Sequence, residues 1–162
     1  MTPTNIRPVD PSDLPGLLAL LKAKAAFDGS PDTLRATVES LRDALFRPTP
    51  LAHALVAEVE GRLVGMATYY AIFSSFIVKP GLWLDDLYVE EAARGQGIGQ
   101  ALMEQLCGVA MRGGCCRVDW HVSAVNPRGI AFYRRIGASV SEKARLVRLD
   151  EAAIRQLAQC GA

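Results

Sequence analysis

The sequence predicts a mixed α/β fold in which helices pack on the faces of a central sheet. Two early segments, residues 11–27 and 30–46, place apolar residues at helical spacing. Residues 53–73 then hold two apolar runs divided by a turn around Gly61, which is typical of a β-hairpin. Strands and helices alternate after residue 81, and a chain of this kind buries its apolar faces as a layered sheet.

The first elements carry their own boundary signals. Residues 5–10 are expected to be extended, and the helix that follows begins where Asp10 or Ser12 can cap its first turn. The second helix is predicted to start at Ser30, with Pro31 at its first helical position, where a missing N–H is tolerated. Its apolar positions are Leu34, Val38, Leu41 and Leu45.

The second half of the chain contains shorter elements. Asn126 and Pro127 are typical of a helix start, Gly137 of a helix end, and Asp150 of the cap of a terminal helix. The predicted elements after the hairpin are a strand at 81–89, a helix at 98–111, a strand at 116–124, a short helix at 127–136, a strand at 146–149 and a helix at 151–159.

Composition narrows the class of protein. A length of 162 residues predicts a single domain, 1–162, with an ordinary hydrophobic core. A net charge of +1 is not that of a dedicated nucleic-acid binder. We expect no signal peptide, no spanning helix and no metal site, and a cytoplasmic location. The cysteines are predicted to be reduced and buried, and they are Cys107, Cys115, Cys116 and Cys160.

The segment RGQGIGQAL, residues 94–102, is the strongest functional signal. It lies between a predicted strand and a predicted helix, where the first N–H groups of the helix have no partner and attract anions. Glycine lets those groups point into one concavity without a Cβ in the way. The segment lacks the Gly-Lys-Ser/Thr ending of a P-loop, and its third glycine comes one residue too early for a Rossmann fingerprint. A tight turn without a ligand is the alternative.

Arg94, Gly97 and Gly99 fit the pattern R/Q-x-x-G-x-G/A, which resembles the acetyl-CoA signature of the GNAT superfamily of N-acetyltransferases. The preceding LWLDDLYV and the later N-x5-FY-x-R-x-GA, which begins at Asn126, extend the resemblance. GMATYY, GLWLDDLYV and VAMR are similar to the spermidine/spermine and thialysine acetyltransferase branch. This implies a twisted, mostly antiparallel sheet with one parallel, splayed strand pair, helices on both faces, and a homodimer.

The resemblance also implies how acetyl-CoA binds as co-substrate. Its pantetheine would pair with the backbone of Leu87, Tyr88 and Val89 and enter the splay beside the next strand, while Asn126 and Tyr133 contact it from beyond that strand. Its pyrophosphate would lie on main-chain amides at the start of the central helix. These residues are Arg94, Gly95, Gln96, Gly97, Ile98, Gly99 and Gln100.

The implied reaction is direct attack by a primary amine on the thioester in a ternary complex. An alkylamine has a pKa of ~10.4, so a base must remove its proton at neutral pH. The resemblance assigns this role to Asp85, with Asp86 beside it, and the general acid to Tyr133. Neighbouring strand residues face opposite sides, so only one of the two acids faces the amine unless a bulge intervenes.

The acceptor is expected to be a small molecule: a diamine, a polyamine or an amino-acid-like amine. Trp83, Tyr69 and Tyr70 either line its pocket or pack on helices. Residues 22–32 are poorer in acids than a polyamine site would require. The alternatives are a non-catalytic acyl-CoA-binding sensor or subunit, and a nucleic-acid module built on the basic residues between 112 and 148. Because aromatic residues do not alternate regularly with the basic ones there, no nucleic-acid partner is expected. No membrane partner is expected either, since no apolar run has the length of a spanning helix.

Overall fold

The computed structural model describes residues 4–159. They form two compact units, one ending at His121 and the other beginning at Val122. The first unit holds strands β1 (Asn5–Pro8), β2 (His53–Val59), β3 (Arg62–Ser74), β4 (Lys79–Val89) and β5 (Val118–Asp119). Its helices are α1 (Leu14–Phe27), α2 (Val38–Phe46) and α3 (Ile98–Arg112).

The five strands form one sheet in the order β1-β2-β3-β4-β5. The pairs β1–β2, β2–β3 and β3–β4 are antiparallel, whereas β4 and β5 run parallel. The β2–β3 hairpin turns at Glu60 and Gly61, both with positive φ (50° and 74°), as the tight two-residue turn requires. The predicted mixed fold, mostly antiparallel with one parallel pair, is confirmed.

Helices cover both faces of this sheet. Leu17 and Leu20 of α1 and Leu45 of α2 pack on Val56 and Met66 on one face. On the opposite face, the backbone of Gly65 lies close enough to α3 that a Cβ there would come within 3.3 Å of Leu102 Cδ1. Because neighbouring strand residues alternate between faces, α1 with α2 and α3 lie on opposite sides of the sheet.

An ion-paired arginine fixes the start of α1 against the sheet. The Arg7 guanidinium binds both carboxylate oxygens of Asp13, at 2.5 and 2.9 Å, and Glu58 of β2 at 2.7 Å. Asp10 caps the preceding 3-10 turn, as predicted, by accepting from the N–H of Ser12 at 3.0 Å. The helix that carries Lys24 toward the candidate site is thereby held at its N-terminal end.

Acid should weaken this anchor. The hydrogen bonds from Arg7 hold the pKa of Asp13 below its ordinary value, so the unfolded chain binds this proton more readily than the folded one. The contribution of Asp13 to the free energy of unfolding is therefore complete above roughly pH 4 and lost as the pH falls through the folded pKa. In urea unfolding at a series of pH values, Asp13→Asn should flatten this acid limb. Asn in place of the exposed Asp32 should not, and equal curves for both variants would contradict this role.

The structure corrects three of the predicted boundaries. Residues 31–33 form only a 3-10 turn, and α2 starts at Val38 because Thr37 and Ser40 cap its first turn reciprocally. The strand predicted at 116–124 is limited to β5, since the partner strand β4 bends at a bulge just beyond Trp83. Residues 146–149 are irregular, and no strand lies among residues 122–159 of their unit.

The second unit contains two helices, α4 (Pro127–Arg135) and α5 (Glu151–Gln159). Asn126 caps α4 by accepting from the Gly129 N–H at 2.9 Å, and Asp150 caps α5 through the Ala153 N–H at 2.8 Å. Both caps confirm the predictions made from sequence.

Three of the cysteines are free thiols, as predicted, but they are not buried. Cys107 is exposed on α3, and Cys115 and Cys116 are half-buried just after it. The helix turns Leu106, not Cys107, toward the sheet, which explains the exposure. Cys160 lies outside the described residues.

Candidate active site

The segment before α3 is an open loop shaped by two glycines. Gly95 and Gly97 have φ values of +80° and +82°, in the left-handed region where side chains are strained. A Cβ built at either residue would meet no protein atom within 4 Å. The glycines therefore allow the left-handed conformation of the main chain, and the absence of side chains leaves open space above the loop.

The amides of this loop are available to a ligand. Within residues 4–159, the N–H groups of residues 95–100 donate to no protein acceptor. The first hydrogen bond of the helix runs from Ala101 N to Gly97 O, at 3.0 Å. Six consecutive donors thus lie at the positive end of the α3 dipole. This arrangement suits an anion with several oxygens, such as a diphosphate.

Arg94 is largely occupied by the protein itself. Its Nε donates to the Val89 carbonyl at 2.9 Å, and its main-chain N–H donates to Glu91 O at 3.2 Å. Its guanidinium carbon lies 4.8 Å from the Phe27 ring centroid and 5.6 Å from that of Tyr88. Arg94 therefore links the glycine loop to β4 and α1. Its terminal NH2 groups are the part of the guanidinium that could bind a phosphate.

The second half of β4 has an open edge in the first unit. Parallel pairing with β5 ends at Trp83 and Asp119. The Glu90 N–H bonds Val64 on the β3 side, at 2.9 Å, so the alternation of an antiparallel ladder turns the main chain of Leu87 and Val89 outward and that of Tyr88 toward β3. The outward carbonyl of Val89 is the one that Arg94 binds. An extended amide-containing ligand has main-chain partners along this edge.

A β-bulge places the two neighbouring acids. Asp86 pairs with Thr68 and Leu84 pairs with Tyr69, so Asp85 is an extra residue in β4. The Asp86 N–H donates to Thr68 Oγ1 at 3.1 Å, and Asp86 Oδ1 lies 3.4 Å from Lys24 Nζ. Asp86 is thus held by a cation and a hydroxyl.

Asp85 is exposed, and its charge reaches the neighbouring strand β3. Burial, with the Asp85 charge as a second cause, raises the pKa of Tyr70. Tyr70 follows Thr68 by two residues on β3, so the two side chains share a face. The bulge therefore interrupts the regular alternation of side chains at these two acids, so they need not lie on opposite faces.

The three aromatic residues considered for the acceptor pocket lie on two different faces of the sheet. Trp83 pairs in register with Tyr70, shares its face, and contacts His121 edge-on with centroids 4.6 Å apart. Tyr69 lies on the opposite face, is 8% exposed and stacks on His53 at 5.5 Å. Trp83 and Tyr70 accompany the acids, whereas Tyr69 belongs to the packing against α3.

The second unit carries the remaining two predicted residues. Tyr133 contacts Phe132, with ring centroids 5.2 Å apart, and burial raises its pKa to about 12. It is therefore a protonated phenol throughout the neutral range. Asn126 uses Oδ1 to cap α4 and keeps its amide NH2 for other partners.

Sequence reasoning missed three side chains around this region. Phe27 supports the Arg94 guanidinium, Thr68 binds Asp86, and Lys24 joins Asp86 to Asp28. The i, i+4 spacing of Lys24 and Asp28 was the one signal in the sequence for any of these contacts. The other two depend on strand register and helix placement.

Comparisons with known proteins identify the family of this chain. Residues 19–138 match the acetyltransferase (GNAT) family. The chain is 32% identical to the thialysine N-epsilon-acetyltransferase of Mus musculus, over 98% of this chain and 99% of that relative. It is 34% identical to the spermidine/spermine N(1)-acetyltransferase-like protein 1 of Homo sapiens, over 82% of this chain and 20% of that relative.

A solved structure has the same fold. An integron cassette protein from the mobile metagenome of V. cholerae superposes with a TM-score of 0.79 at 27% identity, covering 98% of this chain and 99% of its own. The chain belongs to the GNAT acetyltransferase family and is an acetyl-transferring enzyme. Both named relatives carry nitrogen acetylation in their names.

The described residues contain neither a membrane-spanning helix nor a group of metal ligands. Within residues 4–159 no helix is both long and apolar enough to cross a membrane. In the same part of the chain, no three His, Cys, Asp or Glu side chains are grouped so that they could hold a metal ion.

Proposed function

We propose that this enzyme transfers the acetyl group of acetyl-CoA to a primary amine of a small molecule by direct attack in a ternary complex. The observation that carries the proposal is the run of amides at residues 95–100 without acceptors, next to the open edge of β4 and the bulge at Asp85. Amine, pantetheine and diphosphate each have a matching group, in that order along the chain. The family match supports the same reaction and runs from residue 19 to 138, across the boundary at His121, so we retain a single domain over 1–162.

The coenzyme is held mainly by main-chain groups. The amides from Gly95 to Gln100 bind the pyrophosphate, and the terminal NH2 groups of Arg94 add charge. Leu87 and Val89 offer outward main-chain groups to the pantetheine, with Tyr88 between them supporting Arg94. The amide NH2 of Asn126 and the phenol of Tyr133 are the contacts proposed from the second unit.

Asp85 is the proposed base. Asp85 is exposed at the bulge, where an amine can reach its carboxylate, and Asp86 is bound by Lys24 and Thr68. The Asp85 carboxylate takes a proton from the ammonium, directly or through a water, and the amine lone pair then forms the new bond to the acetyl carbon. An outward N–H of Leu87 or Val89 stabilises the oxyanion. The carbon–sulfur bond breaks, and Tyr133 protonates the departing CoA thiolate. The second proton leaves the nitrogen to solvent, and the Tyr133 phenolate regains a proton from solvent, so that a neutral amide and a neutral phenol remain.

We expect Tyr133→Phe to lower kcat about tenfold, a modest loss because a thiol of pKa ~8.5 leaves readily as its thiolate. The affinity for CoA should stay near the wild-type value, since the hydroxyl contributes little to the main-chain contacts. Steady-state kinetics and calorimetry measure the two quantities. Tyr69→Phe removes the hydroxyl of a second buried tyrosine, on the other face of the sheet from Thr68 and Asp86, and should leave kcat unchanged. An unchanged kcat in Tyr133→Phe would remove this role.

Release of free thiol tests the proposal as a whole. Acetyl-CoA is mixed with the full chain and a panel of monoamines, diamines and amino acids, and the products are identified by mass. We expect thiol release that depends on the amine and an N-acetyl product in equal amount. Binding of CoA without thiol release from any amine would favour the alternative, a non-catalytic acyl-CoA-binding subunit.

Several finer expectations stay predictions. These are the homodimer, the cytoplasmic location, and the absence of nucleic-acid and membrane partners. Salt-sensitive binding of DNA by the purified chain would contradict the expected absence of a nucleic-acid partner.

A further inference from the structure

Lys24 lies near the end of α1 and bridges two acidic side chains. Its Nζ contacts Asp28 Oδ2, four residues on, and Asp86 Oδ1 of β4 at 3.4 Å. The Lys24 side chain is 19% exposed, compared with 28% for Asp86 and 47% for Asp28. This is a partly desolvated cation between two carboxylates, which strengthens the pairing relative to an exposed ion pair.

The bridge lies beside the proposed base. Asp85 and Asp86 are consecutive at the bulge, and Lys24 contacts Asp86, so Lys24 and Asp28 lie close to the proposed base and to the region of the reacting amine. Without Lys24, three carboxylates would surround this region. Arg94, the cation that stacks on Phe27 at the C-terminal end of α1, is held by the Val89 carbonyl.

We propose that Lys24 is a specificity-determining residue that selects acceptors carrying a single ammonium group over diamines and polyamines. This inference rests on the proposed amine acetylation and names the acceptor class of the same site. The Lys24 ammonium occupies the carboxylates that a second substrate ammonium would need. A diamine bound at Asp85 meets a like charge and finds Asp28 and Asp86 already paired.

Discrimination of this kind follows from unfavourable contacts as much as from favourable ones. A monoamine needs only Asp85, so Lys24 affects its binding little. A diamine must either displace Lys24 from both partners or leave its second charge beside it, and both alternatives weaken binding. Because the groups are partly exposed, the effect should shrink as salt screens the charges.

The test compares kcat/KM for 1,4-diaminobutane and 1-aminobutane, two amines of equal length that differ in one ammonium group. In wild type the monoamine should be preferred. In Lys24→Met the ratio of diamine to monoamine should rise about fivefold to tenfold, the change expected for one partly screened charge contact. High salt should remove most of this gain.

Four further variants isolate the charge of Lys24. Lys22→Met removes the same charge from an exposed position two residues away on α1 and should keep the wild-type ratio. Lys24→Arg retains the cation and should also keep it. Adding Asp86→Asn to Lys24→Met removes one freed carboxylate and should return the ratio toward wild type. Lys24→Gln, which still hydrogen-bonds Asp86, replaces the methionine variant if the latter unfolds, as its melting temperature would show.

The outcomes separate the inference from the function on which it rests. A wild-type enzyme that acetylates neither amine nor any other primary amine overturns the proposed function. An enzyme that acetylates both, with the same ratio in Lys24→Met, Lys24→Gln and wild type, overturns the role of Lys24 alone. A gain that Lys22→Met reproduces would assign the effect to net charge and also overturn it.

Discussion

Gly97→Val should lower the affinity for CoA by about 100-fold or more, because it removes charge-assisted hydrogen bonds worth roughly 1.5–3 kcal/mol each. Gly97 is the N-cap of α3 and has a φ of +82°. Valine is strained in that conformation, so the loop must change its path. If the loop instead keeps its path, the branched side chain of the valine enters the open space above the loop. Both effects displace the amides from the pyrophosphate.

Titration calorimetry with CoA measures this loss, and the far end of the same helix provides the control. Gly114 follows the C-terminus of α3, has a φ of +64° and also has no neighbour within 4 Å of a built Cβ. Gly114→Val therefore introduces a comparable strain of about 1–3 kcal/mol without touching the amides. It should lower the melting temperature and leave CoA affinity unchanged. Equal losses of affinity in the two variants would mean that the effect is general destabilisation.

Asp85→Asn should lower kcat by about 100-fold to 1,000-fold, the range expected when a positioned general base is removed. The substitution preserves size and leaves the main chain of the bulge in place. Affinity for CoA should therefore remain at the wild-type level, so that the loss appears in turnover and not in coenzyme binding. Steady-state kinetics at saturating acetyl-CoA, paired with calorimetry, distinguishes the two.

Asp86→Asn shows which of the two acids is the base. Asp86 is held by Lys24 and by Thr68, so its carboxylate is committed to structure. We expect a much smaller fall in kcat in this variant, together with some loss of stability. If Asp86→Asn lost the greater part of kcat while Asp85→Asn kept it, the two assignments would have to be exchanged.

Local signals in the sequence were sufficient for much of the fold. The hairpin at Gly61, the start of α3 at Ile98 and the cap at Asn126 were predicted because each depends on a few consecutive residues. The glycine loop belongs to the same group, since φ values above zero at Gly95 and Gly97 leave little choice of residue.

Non-local geometry accounts for what sequence reasoning did not reach. The bulge at Asp85 depends on the register between β3 and β4, and only register decides whether two neighbouring acids share a face. The contact of Arg94 with Val89 and the bridge made by Lys24 require elements distant in sequence to be placed first. The start expected at Ser30 was wrong, since residues 31–33 form a separate 3-10 turn and the capping box of Thr37 and Ser40 starts α2 at Val38.

A crystal structure of the full chain with CoA bound is the most direct test of the central claim, that the amides of the glycine loop bind the diphosphate of the coenzyme. We predict diphosphate oxygens within about 3 Å of successive N–H groups between Gly95 and Gln100, with the thiol end of the coenzyme directed toward Asp85. A coenzyme whose diphosphate lies elsewhere, while these amides bind only solvent, would contradict the account.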